Sequence, residues 1–300
     1  MNRSYKEVKI PVSWGTLAGK LWLPNCPQTT KLSGVLMMHG ILDNASSFDP
    51  LIKYFPQEMT LLSLDLAGHG FSDHYSEKLS YQYFSLLSDV IEVLRFLSWE
   101  KPILVGHSLG GVLAINIAAI LPDKIGKIII LDGSYPPKIR YELFSAYMSR
   151  LYETEIGPNK EKIYSTKLAV VERILEGHPD LSRSSAEILS TRGCREVNGG
   201  YILTRDIGIP KILLFYSRYV FWKVLDQFIL DNITMPALFT ISEESFQFTH
   251  QKEIEKAGIK LSPTTRLEYV KGGHQVHMDD PREIGKLITT FLEQKRKSKL

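Results

Sequence analysis

Residues 103–119, ILVGHSLGGVLAINIAA, constrain this chain more than any other stretch, because a single apolar run breaks at Gly106-His107-Ser108-Leu109-Gly110 and then resumes. The pattern predicts a buried strand, a tight turn and a buried helix. The turn has the form G-x-S-x-G, the nucleophile elbow. Glycines two residues to either side of Ser108 leave no side chains to collide where the backbone reverses, so the serine is raised at the strand's end. The helix that follows offers free N–H groups and the positive end of its dipole to a developing oxyanion. The flanking apolar strand and helix separate this turn from an ordinary glycine turn.

A chain of 300 residues with 44% apolar content can bury a large core, as one domain with an insertion or as two small domains. The net charge of +3 is close to balance, and basic residues concentrate only at Lys295, Arg296 and Lys297, so no nucleic-acid partner is expected. Cys26 and Cys194 lie far apart, and the start MNRSYKEVKI has no apolar targeting core, which predicts a reducing, cytoplasmic setting by default. The final Ser298-Lys299-Leu300 overrides that default. S-K-L at a free C-terminus is a peroxisomal address, so the expected location is the peroxisomal matrix and the expected partner its import receptor. No apolar run reaches transmembrane length. Metal-ligand spacings, a phosphate loop and a dinucleotide fingerprint are all missing, so neither a metal nor a cofactor is predicted.

Along the chain, residues 7–10 and 16–23 alternate apolar with polar across Ser13-Trp14-Gly15 and predict an antiparallel hairpin. A strand at 34–38 ends in His39-Gly40, a short helix follows near 46–55, and a strand at 60–64 ends in Asp65 before Gly68-His69-Gly70. Residues 81–97 carry apolar side chains at helical spacing. After the elbow strand and helix comes a strand at 127–131. Continuous apolar strands alternating with helices predict an α/β fold, a mostly parallel sheet with helices on both faces.

After Asp132 that rhythm stops. Residues 133–233 read as mostly helical and rich in aromatics, among them Tyr135, Tyr141, Phe144, Tyr147, Tyr152, Phe215, Tyr216, Tyr219, Phe221 and Trp222, with Pro136-Pro137 at the entrance. We read an inserted helical cap over a core built from 1–132 and 234–300. The alternation then returns, with a strand at 237–241, a helix near 248–257, a strand at 266–270 and a helix at 282–295.

A serine hydroxyl needs a base, usually a histidine oriented by a carboxylate. Of the eight histidines, His39 and His69 precede glycines at strand ends and are expected to brace loops, His107 is expected to point away from Ser108, and His74, His178 and His250 are expected to face solvent. Gly272-Gly273-His274-Gln275-Val276-His277 follows the last strand, where the base belongs in the order Ser…acid…His. His274, which the two glycines let approach the elbow, is the first candidate, with His277 as a supporting group or an ordinary helix residue. The expected oxyanion donors are the amides of Leu109 and Ile41, while Asp43, Asn44 and Ser46 are expected to cap the next helix. The acid stays open. Beyond strand 237–241 a serine, Ser242, stands where an aspartate is common, leaving Glu243 and Glu244 or, at the end of the preceding strand, Asp132.

These segments, with Pro11 to Gly15, His39 to Asp49, Gly68-His69-Gly70, Ile130-Leu131-Asp132, Arg192 to Asp206 and Gly273 to Met278, make the chain resemble the α/β-hydrolases nearly end to end, and more closely the serine hydrolase-like proteins of the kraken group. The resemblance implies a serine hydrolase with Ser108 as nucleophile and His274 as base, associated with peroxisomes. Relatives that attack with aspartate at the elbow, the haloalkane dehalogenases and epoxide hydrolases, are excluded by Ser108. The expected activity is hydrolysis of an ester or thioester of a largely apolar acyl substrate through an acyl-enzyme, with Asp132 orienting His274. Two alternatives are a weak or inactive binding protein on the same fold, and an acyltransferase or carbon–carbon bond hydrolase using the same residues.

Overall fold

In β3 (Val35–Met38) all four side chains are buried, and they divide between two faces. Leu36 and Met38 join one apolar cluster with Val90 and Leu113, while Val35 and Met37 join another with Phe48, Leu51 and Ile284. Alternate residues of a strand point to opposite faces, so a run without polar interruptions needs cover on both. In this computed structural model, helices α1 (Tyr83–Leu97) and α2 (Leu109–Ile120) supply one cover. The other comes from a 3-10 helix (Ala45–Tyr54) and the helix Pro281–Glu293. The structure describes residues 3–24, 34–76, 81–133, 162–206, 209, 228–229, 231–256, 263 and 265–293.

The sheet has eight strands in the order β1-β2-β4-β3-β5-β6-β9-β10. An antiparallel hairpin, β1 (Lys6–Val12) with β2 (Gly15–Trp22), forms one edge and joins β4 (Leu61–Leu64) antiparallel. From β4 onward every pairing is parallel, through β3, β5 (Ile103–His107), β6 (Lys127–Leu131), β9 (Ala237–Ser242) and β10 (Thr265–Val270). Parallel strands end on the same side. Ser108, Asp132, Ser242 and the loop carrying His274 therefore meet at the carboxyl ends of the parallel strands.

Between β6 and β9 the described residues form α3 (Lys167–Gly177), α4 (Arg183–Gly193) and a two-stranded hairpin, β7 (Cys194–Val197) with β8 (Gly200–Leu203). The hairpin was not among the elements expected in this segment. Its two-residue turn is Asn198-Gly199, with Gly199 at φ 93°, a backbone state that suits glycine. Val170, Ile174, Ala186 and Leu189 form a separate small cluster that includes Met278. This segment is tied to the sheet by polar contacts: Arg192 Nε donates to Asp65 at 2.6 Å, Asn44 Nδ2 to the Leu189 carbonyl at 2.9 Å, and Ser185 Oγ to Asp279 at 2.6 Å.

The aromatics expected in the cap, Pro136-Pro137, Cys26 and the Ser298-Lys299-Leu300 tail lie outside the described residues, as does the side chain of His250. Among the described residues, no helix is long and apolar enough to cross a membrane.

Candidate active site

Ser108 sits between β5 and α2 at φ 48° and ψ −111°, a backbone state that L-residues rarely adopt. The turn closes because its glycines carry no Cβ. One on Gly106 would lie 2.2 Å from the Gly110 carbonyl oxygen, and one on Gly110 would lie 2.0 Å from the Met38 carbonyl oxygen. Backbone holds the serine on both sides, its N–H donating to the Leu131 carbonyl at 3.1 Å and its carbonyl accepting from Val112 at 3.1 Å. The Ser108 hydroxyl is half-buried and makes no hydrogen bond to another described residue. Leu109 begins α2, so its amide has no carbonyl one turn earlier to bond.

His274 follows β10. Its Nδ1 lies 2.5 Å from Asp132 Oδ2, which puts the proton on Nδ1 and leaves Nε2 with a lone pair. Asp132 itself is only 1% exposed, with φ 43°. Its second oxygen accepts from the Ser242 amide at 2.6 Å and the Ser245 hydroxyl at 3.0 Å. The serine that stands in place of the common aspartate thus lends its backbone N–H to a carboxylate on the adjacent strand. Glu243 and Glu244 are exposed, and their amides donate to the Val270 and Gly272 carbonyls. Neither carboxylate reaches His274.

Burial lowers the pKa of His274 below the ordinary histidine value, more than the bond to Asp132 raises it. The ring is therefore neutral, and competent as a base, at neutral pH.

The loop after β3 is a tight turn in which the Asp43 amide donates to the Gly40 carbonyl at 3.3 Å and Leu42 takes φ 68°. Positive φ at a branched residue costs energy, and His69 helps hold it by accepting the Leu42 N–H on Nε2 at 3.3 Å. Burial pushes His69 down to about pH 3, so the ring stays a neutral acceptor. His39 similarly accepts from the Leu66 amide at 3.0 Å. Both histidines brace loops, as expected. Ile41, half-buried, occupies the turn between Gly40 and Leu42.

Asn44 caps the 3-10 helix, accepting from the Ser46 amide at 3.0 Å. Asp43 does something else, and this corrects the capping expectation for it. Its buried carboxylate lies 3.3 Å from His107 Nδ1, 3.2 Å from His178 Nε2 and 3.4 Å from Gln275 Nε2. Burial opposes its charge, but the contacts with His107 and His178 hold it well below the usual carboxylate range. His178, expected to face solvent, is instead largely enclosed at the end of α3, and despite the opposing effect of burial the contact with Asp43 raises its pKa above the ordinary value. His74 stays exposed, yet its Nε2 meets the Thr204 carbonyl at 2.9 Å.

His107 donates from Nε2 to the His274 carbonyl at 2.9 Å. The buried ring of His277 lies 4.2 Å from that of His107, and burial holds its pKa well below the usual histidine value. Asp43, His107 and His178 are the residues that sequence reading missed. The available signal was a charged residue directly after an apolar strand and its turn. Among the described residues, no group of three or more His, Cys, Asp or Glu side chains is placed to hold a metal ion.

Comparison with known proteins gives a consistent result. A family described as the alpha/beta hydrolase fold matches residues 35–281. The chain is 29% identical to a serine hydrolase-like protein of Danio rerio, over 98% of this chain and 90% of that protein. It is 28% identical to serine hydrolase-like protein 2 of Homo sapiens, over 96% and 94% respectively. In three dimensions it is similar to a hypothetical protein of Pseudomonas aeruginosa PAO1, with a TM-score of 0.77, 25% identity and coverage of 96% of this chain and 98% of the other.

Proposed function

The chain is a hydrolase of the alpha/beta hydrolase fold family, and from that premise we propose that it cleaves an ester or thioester of a largely apolar acyl substrate through an acyl-enzyme on Ser108. The observation that carries this reading is the 2.5 Å contact between His274 and the buried Asp132, at the strand ends that also hold the strained elbow.

In this mechanism Ser108 Oγ attacks the substrate carbonyl as His274 Nε2 takes its proton. The Nδ1–H bond to Asp132 stabilises the imidazolium that forms. Charge on the carbonyl oxygen is met by the amides of Ile41 and Leu109. Collapse of the tetrahedral species expels the alcohol or thiol, which takes the proton from His274. Water activated by the same histidine then frees the acid and regenerates Ser108.

An apolar acyl group is supported by Phe246. Its ring lies 4.9 Å from that of His274 and is 67% exposed, so it offers an apolar wall beside the base. Labelling by a fluorophosphonate probe tests the proposal. Wild-type protein takes the label and Ser108→Ala does not; an unlabelled wild type, or a labelled Ser108→Ala, overturns it.

A further inference from the structure

Arg205 is a half-buried arginine with no hydrogen bond or ion pair to any described residue. The contrast with Arg192, in the same segment, is direct: Arg192 donates to Asp65 at 2.6 Å and Glu7 at 2.5 Å and lies over the Phe71 ring. The buried Lys20 likewise has Asp49. A desolvated guanidinium without an anion is costly and is normally found paired.

The structure holds Arg205 in place from both sides. Thr204 donates its hydroxyl to the Arg192 carbonyl at 2.8 Å and its amide to the Gly193 carbonyl at 3.1 Å. Asp206 donates its amide to the Gly68 carbonyl at 2.8 Å and accepts from Tyr81 at 2.9 Å. Its own carboxylate meets Tyr81 and His74.

These anchors set the residue against the loop that carries His69, which braces the Ile41–Leu42 turn. The Arg205 charge opposes protonation of His69 and His178. Asp43, a carboxylate that favours its charge, is already shared by His107, His178 and Gln275, and the cation Arg173 adds repulsion. Arg205 is thus a cation in a segment held next to the loop that braces the Ile41–Leu42 turn, with no counter-ion among the described residues.

We propose that Arg205 is a specificity residue that pairs with a carboxylate on the acyl part of the substrate, remote from the bond cleaved. This rests on the hydrolase reading above and narrows it. The acyl chain is apolar along its length and anionic at its far end, a half-ester or half-thioester of a dicarboxylic acid. A guanidinium presents two parallel N–H donors to such a carboxylate.

The test uses the full chain and p-nitrophenyl monoesters of linear dicarboxylic acids of four to eight carbons, each beside a neutral p-nitrophenyl alkanoate of equal length. In the wild type, kcat/KM for the best monoester exceeds that of its neutral partner by about tenfold or more. Arg205→Gln collapses this ratio, mainly through KM, and Arg205→Lys restores part of it. A ratio near one in the wild type, or a Gln variant that slows both esters in proportion, overturns the proposal.

Calorimetric binding of adipate to Ser108→Ala protein separates the two readings. Binding that is lost on adding Arg205→Gln sustains the anion site even where no ester is turned over, an outcome that would sink the hydrolase mechanism alone. Turnover that depends on Ser108 but shows no adipate binding and no charge preference sinks Arg205 alone.

Discussion

His107 Nε2 donates to the backbone carbonyl of His274 at 2.9 Å, so the residue before the proposed nucleophile holds the main chain of the proposed base. The two segments are 167 residues apart in sequence, and this hydrogen bond ties their loops together. The other side of the His107 ring faces Asp43 at 3.3 Å, and Asp43 in turn meets Gln275, next to the base.

His107→Phe keeps the bulk of the buried ring and removes the donor. We expect kcat for a p-nitrophenyl ester to fall by about 10²-fold, the cost of misplacing a catalytic group by roughly 1 Å. His107→Gln, which keeps an N–H donor, recovers part of the rate. Equal rates for wild type and Phe variant would show that this bond does not position His274.

Asp132 orients His274 and stabilises its protonated form, so Asp132→Asn should lower kcat by about 10³- to 10⁴-fold. The exposed Glu243→Gln and Glu244→Gln leave it within about twofold. The pH profile carries a second readout. Activity requires neutral His274, whose pKa lies below the ordinary 6.5 because burial disfavours its charge. The acid limb of kcat/KM therefore falls below pH 6.5. Asp132→Asn removes a contact that raises this pKa, so the residual activity should show an acid limb at still lower pH. A limb that moves upward contradicts the assignment.

Gly110 has no room for a methyl group, since its Cβ would lie 2.0 Å from a backbone carbonyl oxygen that no side-chain rotation can move. Gly110→Ala should destabilise the protein by about 1–3 kcal/mol or more, as overpacking does. Denaturant unfolding measures this, and an unchanged midpoint would refute the packing described. Gly177→Ala, with open space around the added methyl, is the control.

His178 gives stability a pH dependence of defined sign. The contact with Asp43 raises its pKa in the folded state above 6.5, so the stabilisation is fully present below pH 6.5 and declines as pH rises through the folded value. His178→Gln should therefore cost about 1.5–3 kcal/mol at pH 6 and less at pH 9. Thermal unfolding of both proteins across that range decides it; a difference that stays constant with pH removes the charged pair from the account.

The strands, the elbow and the base-bearing loop were legible in the sequence because each rests on a short-range cause. Apolar runs mark buried strands, glycine spacing marks a backbone reversal, and helical periodicity marks α1. The hairpin at Asn198-Gly199 carried a local signal as well, but the helical pattern around it concealed that signal. The pairing of charged groups was not legible. Asp132 rather than Glu243 or Glu244 faces His274 because β6 and β9 lie side by side and Ser242 turns its amide toward the neighbouring strand. Asp43 meets His178, 135 residues away by their numbering, because α3 ends over the turn after β3. Arg205 has no ion pair among the described residues because Asp43 and Asp206 are bound to other groups. Sequence alone determined the order of strands and helices and the strained serine, through sterics and periodicity acting within a few residues. Only the tertiary structure decided which carboxylate serves which histidine and which cation is left unpaired among the described residues, because burial and the energy of a charge pair depend on neighbours far apart in the chain.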